Sequence, residues 1–260
     1  MNDRRLLRRA AAGGLLAVLL SASCTSFDPA HTAGGSARAA STPIATPPTA
    51  SPDAVSAPEP APPRFAGRVS RLPASLRRRM LGTTWKPGCP VSLGDLRLLR
   101  FNYWNFDGEV ARGPMVVHEE VAQDVLWVFR RLFRARFPLK RVALARKFVP
   151  EKFEEVTFTH RSVTAAFNCR PVILPRGPID DFSRHSYGLA IDINPIQNPY
   201  VDADGFVRTI ASRQYLDRRR RLEGMIHDGD IVVRSFAAIG WEWGGHWGGG
   251  KDYMHFDFRG

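Results

Sequence analysis

Ser183-Arg184-His185-Ser186-Tyr187-Gly188-Leu189-Ala190-Ile191-Asp192-Ile193-Asn194-Pro195 sets a polar cluster directly ahead of an alternating apolar run. In an extended chain successive side chains point to opposite faces. Leu189, Ile191 and Ile193 therefore share one face, and Ala190, Asp192 and Asn194 the other. A short strand is expected over 189–193, with its aliphatic face in a core. Asp192 then lies close to that core, where a carboxylate needs a partner, and a cation is the strongest one. His185 precedes it by seven residues, and Gly188 between them supplies a sharp turn that folds the histidine back toward the aspartate. Imidazole nitrogen and carboxylate oxygen together suit a divalent metal such as zinc, and a catalytic zinc takes three protein ligands.

The third ligand has to come from elsewhere. A second dense segment runs Gly240-Trp241-Glu242-Trp243-Gly244-Gly245-His246-Trp247 and on to Lys251-Asp252-Tyr253-Met254-His255-Phe256-Asp257. His255, in a strand-like aromatic stretch over 253–258, is the first choice, and His246, in a glycine-rich loop, the second. Asp252 is a candidate general base for water activated at the metal. Residues three apart point to opposite faces of a regular strand, so Asp252 has to sit in a turn before His255, or the strand has to be distorted. Asp257 shares the face of His255 and is placed to orient it. Trp241, Trp243 and Trp247 are candidates for a substrate groove, Trp241 first; the alternative is that at least two of them are core.

Ser183-x-His185-x-x-Gly188-x-Ala190-x-Asp192, followed by Asp252-x-x-His255, resembles the VanY-type D-alanyl-D-alanine carboxypeptidase and L-alanyl-D-glutamate endopeptidase family, zinc peptidases of peptidoglycan in the larger group that includes the hedgehog signalling domain. The resemblance implies that His185, Asp192 and His255 bind zinc and that Asp252 is the base. It also implies that Arg170, upstream of the first motif, faces the site; an arginine there can hold a substrate carboxylate or carbonyl through paired hydrogen bonds. Gly88-Cys89-Pro90-Val91, Phe106-Asp107-Gly108, Ala166-Phe167-Asn168-Cys169-Arg170 and the Asn194-Pro195 to Asn198-Pro199-Tyr200 stretch resemble the endopeptidase branch, so the likeness runs over roughly residues 85–258. His246 departs from the pattern, which has an acidic or neutral residue there. Ser183 is either a contact to substrate or a turn cap.

The rest of the chain supplies scaffold. Val117, Val121, Val125, Val128, Phe129 and Leu132 recur at helical spacing, so a helix is expected over 116–135, acidic at its start, basic at its end and stopped by Pro138. His118 then lies on its surface rather than at a metal. Residues 231–239 read equally as strand or helix. Arg218 to Arg221 reads as a solvated helix face. The fold class implied is α+β, with a small antiparallel sheet carrying the metal site and helices packed around it.

The N-terminus reads as an export signal over 1–24. Arg4, Arg5, Arg8 and Arg9 precede an apolar run, Ala10–Leu20, too short to span a membrane, and small residues lead to Cys24. Cys24 stands where a lipid-anchored cysteine would, although Ser21 occupies a place that usually holds leucine, so anchored and free forms both stay open. Residues 25–64 are Ala, Pro, Ser and Thr with few large apolar groups, the composition of a linker. The folded domain is assigned to 65–260. In an exported chain Cys89 and Cys169 are expected as a disulfide, with two buried thiols as the alternative. The chain carries a formal net charge of +12. That suits an anionic partner such as cell wall; no recognisable nucleic-acid motif is present, and nucleic acid is not expected as a partner. The expected function is zinc-dependent hydrolysis of a peptide bond in peptidoglycan stem peptides, as an L-alanyl-D-glutamate endopeptidase. A D-alanyl-D-alanine carboxypeptidase or an inactive wall-binding module are the alternatives.

Overall fold

The computed structural model describes residues 61–145, 162–174, 177–207 and 209–260. The expected signal at 1–24, with Cys24, and all but the end of the linker lie outside them. Residues 59–260 form one compact unit. Its strands are β1 (Gly67–Arg71), β2 (Leu96–Trp104), β3 (Val110–His118), β4 (Pro171–Leu174), β5 (Gly177–Phe182), β6 (Ala190–Asp192), β7 (Tyr200–Val201), β8 (Trp241–Trp243), β9 (Lys251–Asp252) and β10 (His255–Phe258). Its α-helices are α1 (Ala74–Met80), α2 (Ala122–Arg134) and α3 (Ile231–Ala237). Among the described residues no helix is long and apolar enough to cross a membrane.

Two antiparallel sheets organise the unit, one ordered β1-β2-β3 and one ordered β6-β10-β8. The first turns Leu99, Phe101, Met115 and Val117 onto α2, where Phe101 stacks on Phe129 with ring centroids 4.3 Å apart. Burying each such side chain contributes about 2–3 kcal/mol. The same core continues through α3 to the second sheet, where Phe236 stacks on Phe256, and it takes in Ile191 and Ile193. A smaller cluster packs α1, through Leu72, Leu76 and Met80, onto Leu96, Leu98 and Val116. The fold is thus α+β, and its small antiparallel sheet carries the His/Asp/His group.

The helix expected over 116–135 begins later. Val116, Val117 and His118 close strand β3 opposite Leu98, Arg97 and Leu96. Residues Glu119–Val121 make one 3-10 turn, and α2 starts at Ala122. Two adjacent valines satisfy a strand as well as a helix, and pairing with β2 decides between them. His118 accepts from the Glu120 N–H at 3.4 Å and caps that turn. Residues 231–237 are helical because the Asp230 carboxylate accepts from the N–H groups of Val232 and Val233. The run Arg218–Arg221 is not a helix face. Arg218 is largely buried, donates to carbonyls of Gln197, Tyr215 and Ile226, and stacks on Tyr253 at 4.4 Å. It clamps the loop over 215–226, while Arg219 stays exposed beside Asp217.

Gly188 locks the two sheets together. Its φ is +71°, and a Cβ built there would lie 2.6 Å from the His118 nitrogen. The His118 N–H donates to the Gly188 carbonyl at 3.0 Å. Gly188→Ala therefore meets backbone as well as an unfavourable φ, and a loss of about 2 kcal/mol or more is expected in denaturant melts. An unchanged midpoint would show that the contact can relax freely.

Candidate metal centre

Each of the residues singled out in the two dense segments is held by a different local device. His185 lies in the one-turn 3-10 helix Arg184–Tyr187. Ser183 caps that turn, its hydroxyl accepting from the His185 N–H at 3.4 Å, so this side chain serves the turn rather than reaching outward to substrate. Asp192 ends β6, and His255 begins β10 directly opposite it in register. Tyr253 and Met254 form a turn between β9 and β10, which removes the parity conflict: Asp252 closes β9, paired with Tyr200, and is not part of the His255 strand. Gly244 lets Asp252 sit so close, since a Cβ there would lie 2.5 Å from the Asp252 carbonyl oxygen.

His185, Asp192 and His255 each offer a ligand atom, and these atoms lie within 4.8 Å of one another. The His185 ring sits 2.7 Å by Nδ1 from the Ala166 carbonyl. A carbonyl only accepts, so Nδ1 carries a proton and Nε2 is the atom turned to the cluster. Burial pushes the His185 pKa down, and the charge and hydrogen bond of Asp192 oppose that shift. Nε2 faces Asp192 Oδ2 at 3.2 Å. A proton or a metal cation between the two atoms satisfies that approach. His255 Nδ1 meets the other oxygen, Asp192 Oδ1, at 3.0 Å. Burial by itself would raise the Asp192 pKa, but the two imidazoles hold its carboxyl well below the usual range. Burial likewise opposes charge on His255, while Asp192, Asp252 and Asp257 raise its pKa overall. The donor set, two imidazoles and an ionised carboxylate, fits zinc.

Asp252 is different. Burial pushes its carboxyl pKa up to about 7, against the pull of His255. Its Oδ1 is buried with no hydrogen-bond partner, a costly arrangement unless water or substrate fills it. Arg170 faces the same site. Burial lowers its pKa, and the charges of Asp192 and Asp252 oppose that shift. Its backbone is pinned by Ser186, whose hydroxyl accepts from the Arg170 N–H at 2.9 Å and donates to the Arg170 carbonyl at 2.8 Å. Cys169, next in the chain, is joined to Cys89 by a disulfide. Closing a loop of this length stabilises by about 4 kcal/mol.

The other expectations are corrected. Trp241 is 4% exposed, packed between Phe236 and Phe258, and belongs to the core. The tryptophan beside the cluster is Trp247, 5.4 Å from the His255 ring, with a buried and unpartnered indole N–H. His246 is exposed and pairs with Asp228 at 2.8 Å instead of joining the cluster. Asp257 does not orient His255 by a hydrogen bond among the described residues; its carboxylate meets Arg259 at 3.3 Å. The sequence reading missed Ser186, the Ala166 carbonyl and Gly244. A serine inside the His-to-Gly turn and a paired glycine ahead of Asp252 were the available signals.

A His/Asp/His group that could hold a metal ion, beside a carboxyl that burial pushes up to about 7, is an arrangement that would suit a metal-dependent hydrolase. Residues 177–258 match the family described as D-alanyl-D-alanine carboxypeptidase, which supports the VanY-type resemblance over that part of the chain. No curated protein and no solved structure matches the chain.

Proposed function

We propose that this chain is an exported, zinc-dependent peptidase that cuts the stem peptide of bacterial peptidoglycan, as an L-alanyl-D-glutamate endopeptidase. The observation that carries the metal is the convergence of His185, Asp192 and His255, whose ligand atoms all lie within 4.8 Å of one another. His185, Asp192 and His255 would hold zinc, which supplies Lewis-acid chemistry: it polarises a carbonyl and makes water a better nucleophile. Asp252 takes the proton of the attacking water on its unpartnered Oδ1 and returns it to the leaving nitrogen. Arg170, always cationic, holds a carboxylate or carbonyl of the substrate. Trp247 walls the site beside His255. The endopeptidase bond is favoured by the flanking segments around Cys89, Asp107 and Asn168. The family's description favours the second reading, removal of terminal D-alanine. The signal reading of 1–24 supports export, with a lipid anchor on Cys24 as one end state.

The test incubates the purified chain with defined muropeptides, with and without chelator, and weighs the products. Cleavage after L-alanine supports the endopeptidase, and loss of one alanine residue supports the carboxypeptidase. Bound zinc without any cleavage would leave a binding module, and no zinc at all would overturn the ligand set.

The same assay carries a pH dependence. Asp252 acts as a base only when ionised. Its own surroundings bring it to about 7, and a bound cation draws that value down. The rate constant kcat/KM should therefore fall about tenfold per pH unit on the acid side, at or below pH 7. A flat profile down to pH 4 would remove Asp252 as the base.

A further inference from the structure

Beside the His/Asp/His cluster lies a cavity of about 300 Å³, at the lower end of the size of small-ligand sites. It is lined by Val233 and Ala237 of α3, by Trp241 and Trp243 of the edge strand β8, and by Trp247. Trp241 and Trp243 are held by the core, whereas Ala237 is exposed. Trp247 belongs to both places: it lines the cavity, and its ring lies 5.4 Å from that of His255. Its carbonyl accepts from the Lys251 ammonium, which ties the loop down. The cavity thus begins one side chain away from the candidate ligands. The polar groups around it are already engaged. Glu242 pairs with Arg259 at 3.0 Å. His246 packs on Trp243 at 5.1 Å and pairs with Asp228 at 2.8 Å. Carboxylates held in this way keep spare lone pairs, and each has a partner already. Such a rim suits hydroxyls, which donate and accept at once, better than it suits an ion. The indole lining suits a flat apolar face.

We propose that this cavity is a subsite for a sugar ring, the one that carries the stem peptide. The inference rests on the peptidase reading and deepens it. A pyranose ring has the two characters that the cavity asks for, C–H groups on its face and hydroxyls around its edge. The sugar is neutral in the substrate, because its carboxyl is consumed in the amide to the first alanine. Its distance from the scissile bond decides which bond the subsite serves. One extended residue spans about 3.5 Å. The L-alanyl-D-glutamate bond is one residue from the sugar, whereas the terminal D-alanine bond is four residues, or about 14 Å, away. A sugar held next to the cluster across a single indole favours the first bond.

The first arm of the test needs neither metal nor cleavage. The full chain, with chelator present, is titrated with chitobiose, the neutral dimer of N-acetylglucosamine, and followed by tryptophan fluorescence. Saturable binding is expected. Ala237→Trp, which fills the cavity from an exposed position, should weaken it about tenfold or more. His246→Ala, which removes one exposed polar contact, should weaken it about five-fold. The second arm compares kcat/KM for one stem peptide with and without its sugar. The sugar-linked form should be favoured about tenfold or more, and Ala237→Trp should bring that ratio close to one. No binding by the natural chain, or unchanged binding in both variants, overturns the proposal. So does displacement of chitobiose by acetyl-leucine amide at equal concentration, which would make the cavity a pocket for an apolar side chain. Sugar binding without any cleavage would keep the subsite and strike the peptidase reading. Cleavage with no preference for the sugar would keep the peptidase and strike the subsite.

Discussion

Asp252→Ala should lower turnover of stem peptides by about 100- to 10,000-fold while the protein keeps its zinc. Asp252 is outside the His185, Asp192 and His255 group, so its loss leaves all three ligand atoms in place. What disappears is the only carboxylate of the site that burial drives up to about 7, and with it the acceptor for the proton of the attacking water. The variant should not be crippled as a fold. Asp252 Oδ1 is buried without a partner, and removing an unsatisfied buried polar group tends to stabilise. Elemental analysis, a thermal melt and the muropeptide assay together separate the outcomes. Zinc retained, a melt at or above that of the natural protein and turnover near background are expected. Turnover at the natural rate would remove Asp252 from the mechanism.

His185→Ala should lose both metal and turnover. The substitution deletes the imidazole nitrogen that faces Asp192 Oδ2, and it leaves the Ala166 carbonyl without its imidazole donor. Two remaining ligand atoms do not make the three-ligand set that a catalytic zinc takes. A second readout needs no substrate. A ligand at a hundred times its Kd stabilises the natural protein by about 2.7 kcal/mol, whereas the variant should gain nothing on addition of zinc. A variant that still melts higher with zinc and still cleaves would show that the metal sits elsewhere.

Why these two residues could be picked out in advance, and others not, follows from how far each signal travels along the chain. The alternation of Leu189, Ile191 and Ile193 is local, and it correctly put Asp192 on the face opposite the core, with Ile191 and Ile193 fully buried. The parity argument over Asp252 and His255 was also local, and the Tyr253–Met254 turn is its resolution. The start of α2 was not legible, because Val116 and Val117 fit both periods and only the pairing with β2 tells them apart. Trp241 misled for the same kind of reason. A tryptophan in a glycine-rich segment reads the same whether it lines a groove or packs on Phe236, and only the neighbouring helix decides. Ser186 holds Arg170 from sixteen residues away, and no spacing rule announces such a bond.

The bridge from Cys89 to Cys169 gives the site a history as well as a shape. Arg170 is the next residue after the half-cystine, and the segment that carries it leans on Thr84 through the Cys169 N–H at 2.9 Å. If the chain is made in a reducing compartment and exported as proposed, that strap is at first undone, and Arg170 is tied to the domain by hydrogen bonds alone. Oxidation after the proposed export would then act as a maturation step, fixing Arg170 in the proposed site only once the chain has left that compartment.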